Sequence, residues 1–70
     1  MKSAEIRVLS TVEIENKLAD SRQELMNLRF QLVTGQLTDT SRLKITRQLI
    51  ARLETILRER DLTAQLEGEE

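Results

Sequence analysis

Cysteine, histidine, proline, tryptophan and tyrosine are all missing from this chain of 70 residues; phenylalanine occurs once and glycine twice. Without Cys or His there are no thiolate nucleophiles, no disulfides, none of the usual zinc ligands, and not the commonest general base. A Ser or Thr hydroxyl activated by Lys or a carboxylate would need a motif to position the pair, and none is present. The expectation is therefore a non-enzyme with no metal site and no cofactor. Apolar runs are short as well. None approaches the length that spans a bilayer, and Met1-Lys2-Ser3-Ala4-Glu5 lacks the apolar centre of a signal peptide. These absences point to a soluble, intracellular chain, and the lack of cysteine fits a reducing compartment. The length allows at most one small domain.

With proline gone and Leu, Glu, Arg, Gln and Ala abundant, the composition is that of helix rather than sheet. Ser10-Thr11-Val12-Glu13 has the form of a capping box, which starts a first long helix at about Thr11. From there Ile14, Leu18, Ser21, Leu25, Leu28 and Leu32 recur at alternating spacings of four and three, a heptad seam with one polar member. Gly35 is free to adopt the left-handed conformation that closes a helix after Thr34. Thr38-Asp39-Thr40-Ser41 offers several oxygens for capping a second helix, and composition alone leaves open which of them serves. A second seam follows in Leu43, Thr46, Ile50, Leu53 and Leu57. So short a connection sets the helices antiparallel, giving a left-handed, coiled-coil-like hairpin about 35 Å long. One uninterrupted helix in a dimeric coiled coil is the rival, and Gly35 with the capping cluster speaks against it. A seam this small predicts a hairpin of marginal stability in isolation, supported by whatever it docks on.

More apolar residues are present than one hairpin interface can bury. Val12, Ala19, Met26 and Val33 repeat every seven residues with Phe30 beside them, more than a quarter turn from the seam; the second helix adds Ile45, Leu49 and Ile56. An N-terminal segment containing Ile6, Val8 and Leu9 is expected to fold back over at least one of these stripes, and the remainder to form a docking face.

The formal net charge of −1 hides an uneven distribution. Asp61, Glu67, Glu69 and Glu70 stand in a final decade without Lys or Arg, so residues 1–60 carry eleven basic against eight acidic side chains. Residues 40–60 hold Arg42, Lys44, Arg47, Arg52, Arg58 and Arg60 against Glu54 and Glu59. At 100° per residue, Lys44, Arg47, Gln48, Ala51, Thr55 and Arg58 share about a third of the circumference, away from Leu53 and Leu57. Small residues between long cations let a phosphate backbone approach closely. From charge alone, an ordinary solvated face explains this stripe equally well. With one aromatic residue there is no stacking platform for single strands, and no helix-turn-helix or zinc-finger pattern for DNA. Among nucleic acids, folded or double-stranded RNA read by shape and phosphate fits best. A membrane surface fits poorly, since the apolar faces lack aromatic enrichment.

The run Asn27-Leu28-Arg29-Phe30-Gln31, then Thr34-Gly35-Gln36-Leu37, Ile50-Ala51-Arg52-Leu53 and Thr55-Ile56-Leu57-Arg58-Glu59-Arg60 resembles the bacterial-type family of ribosomal large-subunit protein twenty-nine, over about residues 6–62. The resemblance implies an all-α fold, a long antiparallel α-hairpin with a short extra N-terminal helical segment. It also implies a structural constituent of the large ribosomal subunit, bound to rRNA near the exit of the nascent-peptide tunnel beside another tunnel-rim protein. Carried over by position, it assigns rRNA contact to Arg29, Gln36, Arg42, Lys44, Arg47, Arg52, Thr55 and Arg58, joined by Gln48 from the basic face. Val12, Met26, Phe30, Ile45 and Leu49 are the candidate protein contacts. Ile50, Ala51 and Leu53 match the family's core and close-approach positions, whereas Ser21 and Thr46 stand where relatives carry larger aliphatics, and Leu49 where a polar or acidic residue is common. The domain is expected to span 1–60, with 61–70 an acidic, disordered tail repelled by RNA. The expected location is ribosome-bound, in the cytoplasm or in an organellar matrix or stroma, with no membrane or DNA partner and no functional homo-oligomer. The alternative is a ribosome-free adaptor that docks a partner helix on the Val12, Met26 and Phe30 stripe.

Overall fold

The computed structural model describes residues 2–37 and 39–68. Three helices appear in chain order: α1 (Ser3–Arg7), α2 (Thr11–Val33) and α3 (Ser41–Gly68). The two long ones pack side by side, and α1 lies against α3, in a body of 54 × 19 × 15 Å.

Helix α2 starts where the capping box places it. The Glu13 amide donates to Ser10 Oγ at 3.2 Å, satisfying one of the orphan donors of the first turn. Its other end closes in a Schellman motif: the Gln36 amide reaches Gln31 O at 2.8 Å, and the Gly35 amide reaches Leu32 O at 3.2 Å. Gly35 has φ +78°, the left-handed conformation this closure requires. At the start of α3 the capping oxygen is that of Asp39, whose Oδ1 accepts the Ser41 amide at 2.9 Å. Thr38, the first of the capping candidates, lies outside the described residues, as do Met1, Glu69 and Glu70.

The two seams face each other as their spacing requires. Ile14, Leu18, Ser21 and Leu28 are buried on α2, and Leu43, Thr46 and Leu53 on α3; Leu25, Ile50 and Leu57 are half-buried. Leu32 departs from the expectation and is 44% exposed. Read in antiparallel order, the α2 seam has one member more than the α3 seam, so Leu32 stands over the turn, before α3 begins.

The fold-back of the N-terminal segment is realised, on one stripe. Ile6 is fully buried and joins Ile14, Leu18, Leu53 and Ile56 in the core cluster, with Leu9, Leu49, Ile50 and Leu57 packed around it. Ile56, placed off the seam by its spacing, is thus only 3% exposed because α1 covers it. Val8 corrects the sequence expectation: it caps α1 at its C-terminus and remains 83% exposed, since a helix this short turns one face inward and Ile6 occupies that face. Leu49 is half-buried, packed against the same core cluster.

Arg60 holds the segment in place. Its guanidinium donates to Leu9 O at 2.8 Å, Arg7 O at 3.1 Å and Thr11 Oγ1 at 3.1 Å, pairing the carbonyls that the end of α1 leaves open. Arg7 in turn makes an exposed ion pair with Glu59 at 3.3 Å.

Helix α3 runs on past Arg60 through residues 61–68, all of them exposed. Leu62, Ala64, Gln65, Leu66 and Glu67 are good helix formers, and no breaker intervenes before Gly68, so propensity extends a helix already nucleated by packing.

Candidate nucleic-acid interface

Burial of Leu53, Leu43 and Thr46 against α2, and of Ile56 against α1, fixes the rotation of α3, so its opposite arc must face outward. Lys44, Arg47, Gln48, Ala51, Thr55 and Arg58 lie on that arc and are all exposed. Lys44 and Arg58 are about 21 Å apart along the axis. The Thr55 hydroxyl donates back to Ala51 O at 2.7 Å, which keeps this short side chain close to the helix and the surface between the cations low.

Which cations are available is decided by the ion pairs. Cross-helix pairs occupy Arg22 with Glu54 at 2.7 Å and Arg42 with Glu24 at 2.6 Å. Arg22 and Glu24 are about 200° apart around α2, so these pairs lie on opposite flanks of the hairpin. Arg42 therefore sits on the flank that α1 shares, away from the basic arc, and the structure does not bring it together with the other candidates. None of Arg29, Lys44, Arg47 and Arg58 is engaged in a side-chain hydrogen bond or ion pair with another described residue. Arg29 and Gln36 are exposed toward the turn end. Arg58 borders a groove shared with Arg22, Glu54 and Asp61, which tempers the positive potential at that end.

Arg7 escaped the sequence reading of the site. Docking of α1 forms a notch of ≈ 170 Å³ in which Ser3, Arg7 and Glu59 meet Ala51, Arg52, Thr55 and Ile56. The notch opens beside the basic arc, so a cation from the N-terminal segment joins Arg52 at its edge. No local pattern announces this, because it depends on a contact across most of the chain. Of the candidate protein contacts, Val12, Met26, Phe30 and Ile45 are each more than 60% exposed, and Val33 extends the α2 stripe at 85%.

Among the described residues, no helix is long and apolar enough to cross a membrane, and no cluster of His, Cys, Asp and Glu could hold a metal ion. A surface of exposed, unpaired cations on a rigid helix can neutralise phosphates and fit their spacing, without chemistry of its own.

Comparison with known proteins gives the family. The model of the family described as Ribosomal L29 protein matches residues 4–60. The large ribosomal subunit protein uL29 of Geobacillus stearothermophilus is 56% identical over 64 residues, covering 91% of this chain and 97% of the relative. That of Staphylococcus aureus (strain JH9) is 55% identical over 62 residues, covering 89% and 90% respectively. By this match over most of its length, the chain belongs to the Ribosomal L29 family, proteins of the bacterial large ribosomal subunit.

Proposed function

We propose that the chain is a structural, non-catalytic rRNA-binding component of the large subunit that lays the outer arc of α3 on folded RNA. The observation that carries this reading is the row of exposed cations Lys44, Arg47 and Arg58, free of intramolecular partners and separated by Ala51 and Thr55. Gln48, Arg52, Arg29 and Gln36 extend the contact, and Arg7 reaches the same side through the docked α1, where a phosphate would displace its exposed pair with Glu59. Arg42, paired with Glu24 on the other flank, stands outside this contact. Recognition is by phosphate neutralisation and shape, and so weakens steeply as salt rises.

The position beside the exit of the nascent-peptide tunnel is carried over from the family resemblance, as is a neighbouring tunnel-rim protein. The exposed stripe of Val12, Met26, Phe30 and Val33 is the surface on this chain best suited to that neighbour, with Ile45 a smaller contact on α3. On this reading the protein acts on ribosomes in the cytoplasm. The stripe also favours the rival reading, a helix-docking adaptor away from the ribosome; that association would barely respond to salt.

The test is sedimentation of the tagged chain on a sucrose gradient, quantified against large-subunit rRNA. Near-stoichiometric comigration is expected, and loss of at least about tenfold for the Arg47→Glu/Arg58→Glu double variant with its helical content unchanged. Undiminished incorporation of that variant would show that a different face binds the RNA; a chain confined to light fractions would make the adaptor the better reading.

A further inference from the structure

The outward line of α3 changes character along its length. Ala51 and Thr55 lie between cations, but two and three turns beyond Thr55 the same line presents Leu62 and Leu66, which are 53% and 69% exposed. Projected around the axis, Leu62, Leu66, Glu59, Thr63 and Glu67 occupy one arc of about 140°. Glu59, Thr63 and Glu67 also line a groove of ≈ 390 Å³ with Thr11, Arg60 and Ala64 at the start of α2. From residue 61 onward the chain has no Lys or Arg and four carboxylates. An RNA surface following the basic arc cannot continue here, because phosphates would meet unneutralised carboxylates. The family match also ends at residue 60, so this segment is not part of what the family model describes.

We propose that the α3 extension, residues 61–68, is a docking element for a basic segment of another protein in the large subunit. An aliphatic residue of that segment would seat on Leu62 and Leu66, while its Lys or Arg side chains reach Glu67 and compete with Arg7 for Glu59, two turns earlier. Charge complementarity selects this occupant: the apolar pair is bordered by carboxylates on the groove side, and no cation of the extension opposes a basic partner. Every residue of the extension is exposed, and Glu67 sits at the helix end where the macrodipole disfavours an anion. A bound cationic segment relieves both.

The inference rests on ribosomal incorporation, which is scored first. The full chain, with a photo-crosslinking phenylalanine analogue in place of Leu66, is incorporated into subunits, sedimented and irradiated. The expected product is a crosslink to a Lys/Arg-rich stretch of a protein, reduced about fivefold by Glu67→Lys while incorporation stays unchanged. A crosslink to rRNA or to a stretch without basic residues, no crosslink in incorporated chain, or yields indifferent to Glu67→Lys would overturn the proposal. Failure to enter subunits at all would overturn the rRNA-binding reading with it.

Discussion

Replacing Ile6 with alanine and Arg60 with methionine, singly and together, isolates what fastens the N-terminal segment to the hairpin. Ile6 is fully buried among Ile14, Leu18, Leu53 and Ile56, so its truncation removes a complete core side chain, a loss of about 2.5 kcal/mol at a site near a chain end that can partly collapse. Arg60 donates three hydrogen bonds, two of them to carbonyls of the segment, and their loss costs about 2 kcal/mol. Independent sites would give a double variant weaker by about 4.5 kcal/mol. The sites are not independent, because both act only while α1 is docked. Once the segment is released, the second substitution has little left to remove, and the loss stops near the docking free energy of α1, about 3 kcal/mol for so small a unit. Urea unfolding followed by far-UV circular dichroism, with sucrose to raise the baseline stability, should therefore give a coupling of about 1.5 kcal/mol. Amide exchange at Ile6 and Leu9, whose N–H groups bond to Lys2 O and Ile6 O, should lose protection in either single variant before the α2 amides do. Additivity to within about 0.5 kcal/mol would refute the single-latch account.

Three further outcomes follow from the turn and the seam. Gly35→Ala forces a side chain into φ +78° although no atom lies within 4 Å of the new Cβ, so it should lose about 1–2 kcal/mol from backbone strain alone, and Gly35→Asn less, as read by denaturant midpoints. Thr46 is 6% exposed in the seam; Thr46→Val should gain about 1 kcal/mol and raise the melting temperature by several degrees in calorimetry, whereas a loss would mean that its hydroxyl is needed. The Ser41 backbone and side-chain hydrogen bonds hold the Asp39 carboxyl below its ordinary value of 3.8. A lowered native value means that this cap supports the fold above 3.8 and loses its contribution as the pH falls through the native value. Asp39→Asn should flatten that part of the acid dependence in a titration of stability from about pH 5 downward, and an unaltered acid limb would count against the cap.

The hairpin was legible because its determinants are local. Spacings of three and four between leucines, a Ser10–Glu13 cap and one glycine at the end of a seam each act within a few residues, and apart from Leu32 each took the expected form. Burial of Ile6 against the second stripe was anticipated from an excess of apolar residues, but not the choice of α3 over α2 as its main support. Arg60 looked like one more cation of a basic segment; its bonds to Leu9 and Arg7 carbonyls join positions about fifty residues apart, and no spacing rule encodes such a contact. The same holds for the notch that brings Arg7 beside Arg52. Arg42 carries no mark in the sequence that sets it apart from Lys44 or Arg47, yet its angular position brings it to Glu24. Beyond Arg60 propensity outweighs charge: the carboxylates are spaced widely enough for Leu62, Ala64, Gln65 and Leu66 to keep the helix going.

Docking of the first helix against the far part of the last one also dictates when the chain can finish folding as it is made. Thr11 to Val33 can coil as soon as it emerges, and its seam can begin to close once Leu43 and Thr46 follow. Ile6 must wait for Ile56, and the carbonyls of Arg7 and Leu9 for Arg60, so the earliest residues synthesised are among the last to settle. A nascent chain stalled before Arg60 leaves Ile6 without its cover, so the core stays incomplete until that residue has emerged.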